Sequence, residues 1–344
     1  MAHGWNATAY QIVNPGIRHW FSEADDAVVG YVEWAGVRVV AGAPVSALER
    51  LPDVIGEFEH ASRGNGFAVC YFGAESRLES ALRGSPRHSM ALLGAQPAWH
   101  PAGWQALCER NAGIRAQLNR ARNKGVVVTE WSAAMAEGHP ALRRCLDEWL
   151  STRGLPPLHF LVEPETLGRL AGRRLFVAER GGHVIAFLVA SPVPARQGWL
   201  VEQFVRSHAA VNGTTDLMVD AAMRAFAHGG AEFVTLGLAP LSAHGPDVRL
   251  PGEPLWLRFV LGWVRLHGRR FYNFAGLDQF KARLRPERWD PVYAIAGAPR
   301  FSPRMLYAIA GAFSGGSPVL LVARGIGRAV AWELTGKPWR RGGA

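Results

Sequence analysis

The chain has 344 residues, room for two domains of about 150 residues each, and its 49% apolar against 19% charged residues exclude intrinsic disorder. A net charge of +10, from 38 Lys+Arg against 28 Asp+Glu, suits anionic partners: nucleic acid, phospholipid head groups or phosphorylated ligands. A coding bias toward Arg, Ala and Gly would give the same surplus.

Cys70, Cys108 and Cys145 stand far apart with no C-x-x-C pair, which argues against a disulfide framework or a zinc site. No signal peptide opens the sequence and no apolar run reaches the roughly 18 residues of a transmembrane helix. The expected location is the cytosol, peripheral to a membrane at most.

The first 75 residues read mainly as β. Short runs rich in β-formers cover 17–22, 27–34 and 36–41, with Ala35-Gly36 as a hairpin turn between the last two. Helical spacing over 44–61 runs through Val45, Leu48, Val54, Ile55 and Phe58. A buried-type strand at 67–72, a helix at 76–83 and a strand at 89–93 follow. Residues 111–125, NAGIRAQLNRARNKG, form a helix with an Ile114 and Leu118 edge and a basic face of Arg115, Arg120, Arg122 and Lys124. That face is either plain solvated surface or a phosphate-binding helix.

A second series begins at 126–131. It continues with a helix at 142–152, a hairpin of strands 175–179 and 183–191 about Arg180-Gly181-Gly182, a strand at 198–205 and a helix at 214–227. A strand at 233–238 and a helix at 255–266 complete it. The order is α+β, and a less clear version of it precedes Gly125. The chain therefore divides into two related halves, residues 1–125 and 126–302.

Residues 272–296 contain a short helix at 276–284, with Leu277, Phe280 and Leu284 on its apolar stripe and Lys281, Arg283 and Arg285 opposite. Pro286 ends it and a strand follows. The tail, 303–344, has an apolar stretch at 305–313, a Ser-Gly-Gly-Ser break, and a cationic amphipathic pattern at 319–334 that lies on a membrane surface or docks on the protein.

Chemistry has few places to sit. Asn212-Gly213-Thr214 opens a helix whose free N–H groups would accept an anionic oxygen, and Gly213 permits close approach of a ligand. Residues 236–242, LGLAPLS, make a Gly- and Pro-interrupted turn directly after a strand, where ligands bind in α/β sheets. There is no G-x-S-x-G elbow, no P-loop and no dinucleotide fingerprint after a strand, and the 12 histidines form no pair at metal spacing.

In order, LNRARNKG, CLDEWL, NGTTDLM, VTLGLAPLS and YNFAGLDQFKARLRPERWDPVYAIA resemble the C-terminal synthase domain of the phosphatidylglycerol lysyltransferase (multiple peptide resistance factor) family, alanyl-phosphatidylglycerol synthases included. The resemblance covers about residues 15–300 and is most specific in the last two motifs.

It implies a tandem pair of GNAT-like halves and transfer of an amino acid from aminoacyl-tRNA to the hydroxyl of a lipid, usually phosphatidylglycerol. No metal or other cofactor is implied, because the tRNA ester is already activated; the acetyl-CoA signature is missing after the strand ending at Arg206. Family members carry an acid three residues before the equivalent of Arg206, where this chain has Gln203, so a neutral amino acid replaces lysine as the expected donor. The multi-span flippase that many relatives carry is not expected in this chain, so access to the inner face of the membrane would fall to the tail or the basic surface.

Roles follow from the resemblance. Arg206 and the amides of Gly213 and Thr214 would bind ester or phosphate oxygens. Glu202 or Asp216 would orient the donor amine or take the hydroxyl's proton. Lys281, Arg283 and Arg285, with Arg115, Arg120 and Lys124, would hold phosphates of tRNA or lipid, while Gln203, Asn212, Gly237, Ser242 and Asn273 would line the substrate site. Two other readings remain open: an aminoacyltransferase with another acceptor, and a non-catalytic lipid- or RNA-binding protein of this fold.

Overall fold

The three β-rich runs at the start form an antiparallel meander of β1 (Arg18–Phe21), β2 (Val28–Trp34) and β3 (Val37–Ala41). Ala35 and Gly36 between β2 and β3 both take positive φ, 50° and 69°, as a two-residue hairpin turn demands. The structure is a computed structural model and describes residues 1–152, 158–242, 244–245, 254, 256–257 and 274–314.

The helix expected over 44–61 starts late, as α1 (Leu51–Gly64). Val45 is held extended because it exchanges both backbone hydrogen bonds with Val28. β4 (Ala68–Ala74) and α2 (Ser76–Leu82) come next, and β5 (Ser89–Trp99) runs well past its expected end at residue 93. α3 (Trp104–Arg110) was not legible in the sequence; α4 (Ala112–Arg122) is the basic helix, capped by the Asn111 side chain on the Ile114 N–H.

The second series is β6 (Val126–Trp131), α5 (Ala133–Ala136), α6 (Pro140–Ser151), β7 (Arg174–Arg180), β8 (His183–Val193), β9 (Gly198–Arg206) and α7 (Thr214–His228). Then come β10 (Phe233–Thr235), β11 (Ala239–Pro240), α8 (Phe274–Arg283), β12 (Arg288–Ala296) and α9 (Pro303–Ser314). The helix expected at 255–266 lies outside the described residues except for Trp256 and Leu257, and Asn273 and the tail pattern at 319–334 lie outside them entirely.

All the described strands join one mixed twelve-stranded sheet in the order β1-β2-β3-β4-β12-β5-β10-β9-β8-β7-β6, with β11 on β5. The order is nearly symmetric about its centre. β4 lies parallel to β3, and β10 lies parallel to β9. The next strand on each side is exchanged: β5 pairs with β10, and β12 pairs with β4. β5 and β12 then pair with each other along their lengths, from Arg288↔Ala98 to Ala296↔Ser89. The sheet therefore passes without a break across the division expected at Gly125.

Strand alternation sends apolar side chains to both faces. On one face Phe176 and Val201 pack against Met218 and Phe226 of α7 and Leu118 of α4; on the other Leu175, Val177 and Val205 pack under α6. At the other end of the sheet, α1 and α2 cover one cluster around Phe58, Tyr71 and Leu78. The apolar start of the tail is α9, which docks on the protein: Met305, Ala308 and Ile309 are buried against β2 and β3, and Phe313 meets the Phe72 and Phe160 rings edge-on. No helix among the described residues is long and apolar enough to cross a membrane.

β9 and β10 pair only from Gly198↔Phe233 to Leu200↔Thr235. Beyond Thr235 the chain turns away through Gly237, at φ 71°, to reach β11 on β5, while β9 continues beside β8 to Arg206. Two parallel strands thus diverge at their C-terminal ends, and α8 crosses the opening. That V is where a sheet of this kind offers a binding site.

Candidate functional site

Lys281 lies at the V and is only 3% exposed. Helical spacing explains its burial: Leu284 sits one turn on and is buried, while Phe280 beside it packs edge-on against Phe204 of β9, with centroids 6.0 Å apart. The Lys281 Nζ donates to the carbonyls of Gly237 at 2.7 Å and Leu238 at 2.9 Å, the backbone of the interrupted turn after β10. Burial pushes its ammonium down to about 7, with Asp278 opposing the shift.

The Asp278 carboxylate sits one turn earlier on α8. It accepts the Ser242 hydroxyl at 2.6 Å, and the His244 Nε2 stands 3.7 Å from its other oxygen. The His244 ring is stacked on Trp289 of β12, with centroids 4.4 Å apart and planes 12° from parallel.

Beside this group Arg283 donates to Asp216 at 2.8 Å, joining α8 to the first turn of α7. Asp216 is buried, which raises its pKa against the lowering effect of Arg283 and Arg206. Arg206, at the end of β9, has its Nε buried with no hydrogen-bond partner among the described residues. Burial lowers its pKa, and Asp216 opposes the shift. Lys281, Arg283, Arg206, Asp216, Gly237 and Ser242 are thus brought together around α8.

Others are not. Glu202 faces the N-terminal 3-10 turn Ala7–Val13, where it accepts Arg173 Nε at 2.6 Å and Gln11 Nε2 at 2.7 Å. The register jumps from Val189↔Gln203 to Ala190↔Val201, so Glu202 is the extra residue of a β-bulge. Its carboxylate is committed to a guanidinium that is 1% exposed. Gln203 uses both ends of its amide, accepting from Thr166 at 2.6 Å and donating to the Pro164 carbonyl at 2.8 Å.

Gly213, at φ 90°, approaches not a ligand but α4: a Cβ there would lie 2.3 Å from the Gln117 carbonyl oxygen. The Thr214 hydroxyl and N–H both donate to the Val211 carbonyl, so neither serves a ligand; Asn212 is exposed nearby. On α4, Arg115 donates to the Cys108 and Glu109 carbonyls, Arg120 to Gln117 at 3.5 Å, and Lys124 is exposed. Arg122, also basic, is spent on the buried Asp220 at 2.8 Å. Arg285 is exposed with φ 52° just past α8.

Asp278, His244, Trp289 and Arg173 belong to none of the sequence expectations. Asp278 had a signal, its one-turn spacing from Lys281, whereas Arg173 stands in no motif. Burial pushes the Cys70 and Cys145 thiols up to about 12 and the Cys108 thiol to about 11, so none offers a thiolate at neutral pH. Among the described residues no His, Cys, Asp and Glu side chains group as metal ligands. A cleft of about 640 Å³ between α6 and the β7–β8 turn is lined by none of the expected residues.

A family model described as the C-terminal part of phosphatidylglycerol lysyltransferase matches residues 2–296. Among solved structures, the chain is similar to a domain described as C-terminal in a lysylphosphatidylglycerol synthetase of Agrobacterium fabrum. Identity is 21% and the TM-score 0.76, over 90% of this chain and 93% of that one. It is similar also to L-PGS from Bacillus licheniformis, with 21% identity and a TM-score of 0.73 over 91% and 94% of the two chains. FemX shares the fold at 8% identity and a TM-score of 0.54, covering 88% and 97%. A search of the curated proteins finds no match.

Proposed function

This chain belongs to the family of phosphatidylglycerol lysyltransferase C-terminal domains, and from that premise we propose that it moves an amino acid from aminoacyl-tRNA to the hydroxyl of a phospholipid head group, in the first place phosphatidylglycerol. The observation that carries this reading is the burial of Lys281 with its Nζ on the Gly237 and Leu238 carbonyls. A neutral lysine amine has two N–H groups and one lone pair. Its two hydrogen bonds go to the Gly237 and Leu238 carbonyls, which leaves the lone pair for an incoming proton. With its pKa brought down to about 7, it is a base matched to neutral pH.

In the proposed step the lipid hydroxyl gives its proton to Lys281 and attacks the carbonyl of the aminoacyl ester. A new ester C–O bond forms, the bond to the tRNA ribose breaks, and the ribose oxygen leaves with the proton returned by Lys281. One ester replaces another, so the transfer calls for no outside energy source and no cofactor. Arg206, whose Nε has no hydrogen-bond partner among the described residues, and the half-exposed Arg283 supply positive charge for the tetrahedral oxyanion or a phosphate. Arg115, Arg120, Lys124 and Arg285 would bear on tRNA or lipid phosphates.

Gln203, held by Thr166 and the Pro164 carbonyl, has no charge to offer a cationic side chain, which favours a neutral amino acid. The exchanged central strands fit two related GNAT-like units, residues 1–125 and 126–302. Work at the inner face of the membrane follows from the lipid acceptor.

The test is incubation of the chain with radiolabelled aminoacyl-tRNAs and total lipid extract. Label moving into the organic phase supports the reading. Label in an aqueous product points to another acceptor, and no transfer from any tRNA points to a binding protein.

A further inference from the structure

Among the described residues, carboxylates on β9, α7 and β12, the elements that flank the V, are paired with guanidinium groups. Glu202 is paired with Arg173 at 2.6 Å and Asp216 with Arg283 at 2.8 Å. Asp290 meets Arg196 at 3.3 Å and Arg288 at 3.0 Å. Asp278 differs. Among the described residues it faces no arginine: Ser242 binds one oxygen, and His244 stands at 3.7 Å from the other, beyond hydrogen-bond range. Its side chain is 20% exposed, so it is open to a ligand while partly shielded from water.

Among the described residues, the titratable neighbours around it are Lys281 on α8 and His244 on the turn after β11, with Trp289 as an apolar wall from β12. An acceptor-only group fixed by one hydroxyl, with lone pairs to spare, suits a positively charged donor.

On the reading that the donor is an aminoacyl-tRNA, we infer that Asp278 is the subsite for the α-ammonium of the transferred amino acid. The sequence reading had given that task to Glu202 or Asp216, and both are already matched to arginines. Asp278 holds the ammonium one helical turn from Lys281, so the donor's carbonyl, two bonds from its nitrogen, is directed toward the base. Ser242 fixes the carboxylate's orientation, and the Trp289 face keeps the His244 ring beside it. This subsite reads the backbone of the amino acid rather than its side chain.

The test uses a hydrolysis-resistant donor mimic, an adenosine bearing alanine in amide linkage on its ribose, and the same compound with the alanine nitrogen acetylated. Each is titrated calorimetrically into the full chain and its Asp278→Asn variant, with circular dichroism confirming that the variant folds. The wild-type chain is expected to bind the free amine about tenfold or more tighter than the acetylated form, as loss of a charge-assisted hydrogen bond implies. Asp278→Asn is expected to bind the two alike. A variant that keeps the preference, or a wild-type chain that shows none, overturns the assignment. Transfer of labelled alanine to lipid, measured alongside, reports separately on the underlying reading: transfer without amine preference sinks the subsite alone.

Discussion

A lysine buried against two neutral carbonyls is costly to keep charged, and that cost is a property of the folded state alone. Lys281 titrates near 10.5 in an unfolded chain and near 7 in the fold. Below about 7 both states carry the proton, and the fold bears the full penalty. Between the two values the unfolded chain binds more protons, so the penalty is relieved as pH rises. Lys281→Met keeps the bulk and removes the charge. It should therefore stabilise the protein most below about pH 7, with the gain shrinking toward pH 10.5. Urea midpoints at acidic and alkaline pH check this; a gain that does not depend on pH would contradict the burial account.

At this scale the sequence was informative in part. Lys281, Arg283 and Arg206 stand in recognisable motifs and do meet around α8. Which carboxylate stays free could not be read, because it depends on long-range pairs. Glu202 is neutralised by Arg173, 29 residues away, and Asp216 by Arg283, 67 residues away.

Among the elements, α4 and α7 touch through a glycine. With a Cβ only 2.3 Å from the Gln117 carbonyl and φ at 90°, Gly213→Ala must push the two helices apart or strain its own turn. The expected loss is about 1–3 kcal/mol, read as a lowered Tm; an unchanged Tm would mean that the contact yields freely. The α4 cations divide by their partners. Arg122 is tied to Asp220, whereas Arg120 and Lys124 face solvent. If the exposed pair meets tRNA phosphates, Arg120→Ala with Lys124→Ala should lower the slope of log affinity against log salt by about 1.5. Filter binding across a salt series decides this, and an unchanged slope removes α4 from the RNA-binding surface.

The helix period made α4, α7 and α8 legible from their apolar stripes. β5 runs past its expected end at residue 93 because it is held between β12 and β10, which are distant in sequence. The late start of α1 was hidden because the Val45 bridge to Val28 is a tertiary contact.

Over the whole molecule, the exchange of β5 and β12 ties the two parts of the chain into one sheet. The seam carries a polar knot: Arg196, from the β8–β9 turn, meets Glu75 after β4 at 3.0 Å and Asp290 on β12 at 3.3 Å, while Glu75 also accepts the Ala7 N–H at 2.6 Å. Glu75 is buried enough for its pKa to rise to about 7 even beside Arg196. Arg196→Ala strands that carboxyl and should cost about 3–5 kcal/mol. The loss should appear as a shift of a single unfolding transition, since neither part keeps its central strands alone. Two separate transitions would contradict the shared-sheet account. No reading of local pattern foretold this exchange, because β5 pairs with β10 and β12 with β4 through contacts distant in sequence.

The central claim is that Lys281 is the base of an aminoacyl transfer to lipid. It is tested most directly by single-turnover transfer from labelled aminoacyl-tRNA to phosphatidylglycerol vesicles across pH, for wild type and Lys281→Met. The account predicts a wild-type rate that rises with pH through a midpoint near 7, and a variant slower by about 10²–10⁴-fold with that rise abolished. A variant that transfers at the wild-type rate, or keeps the same pH midpoint, would contradict it.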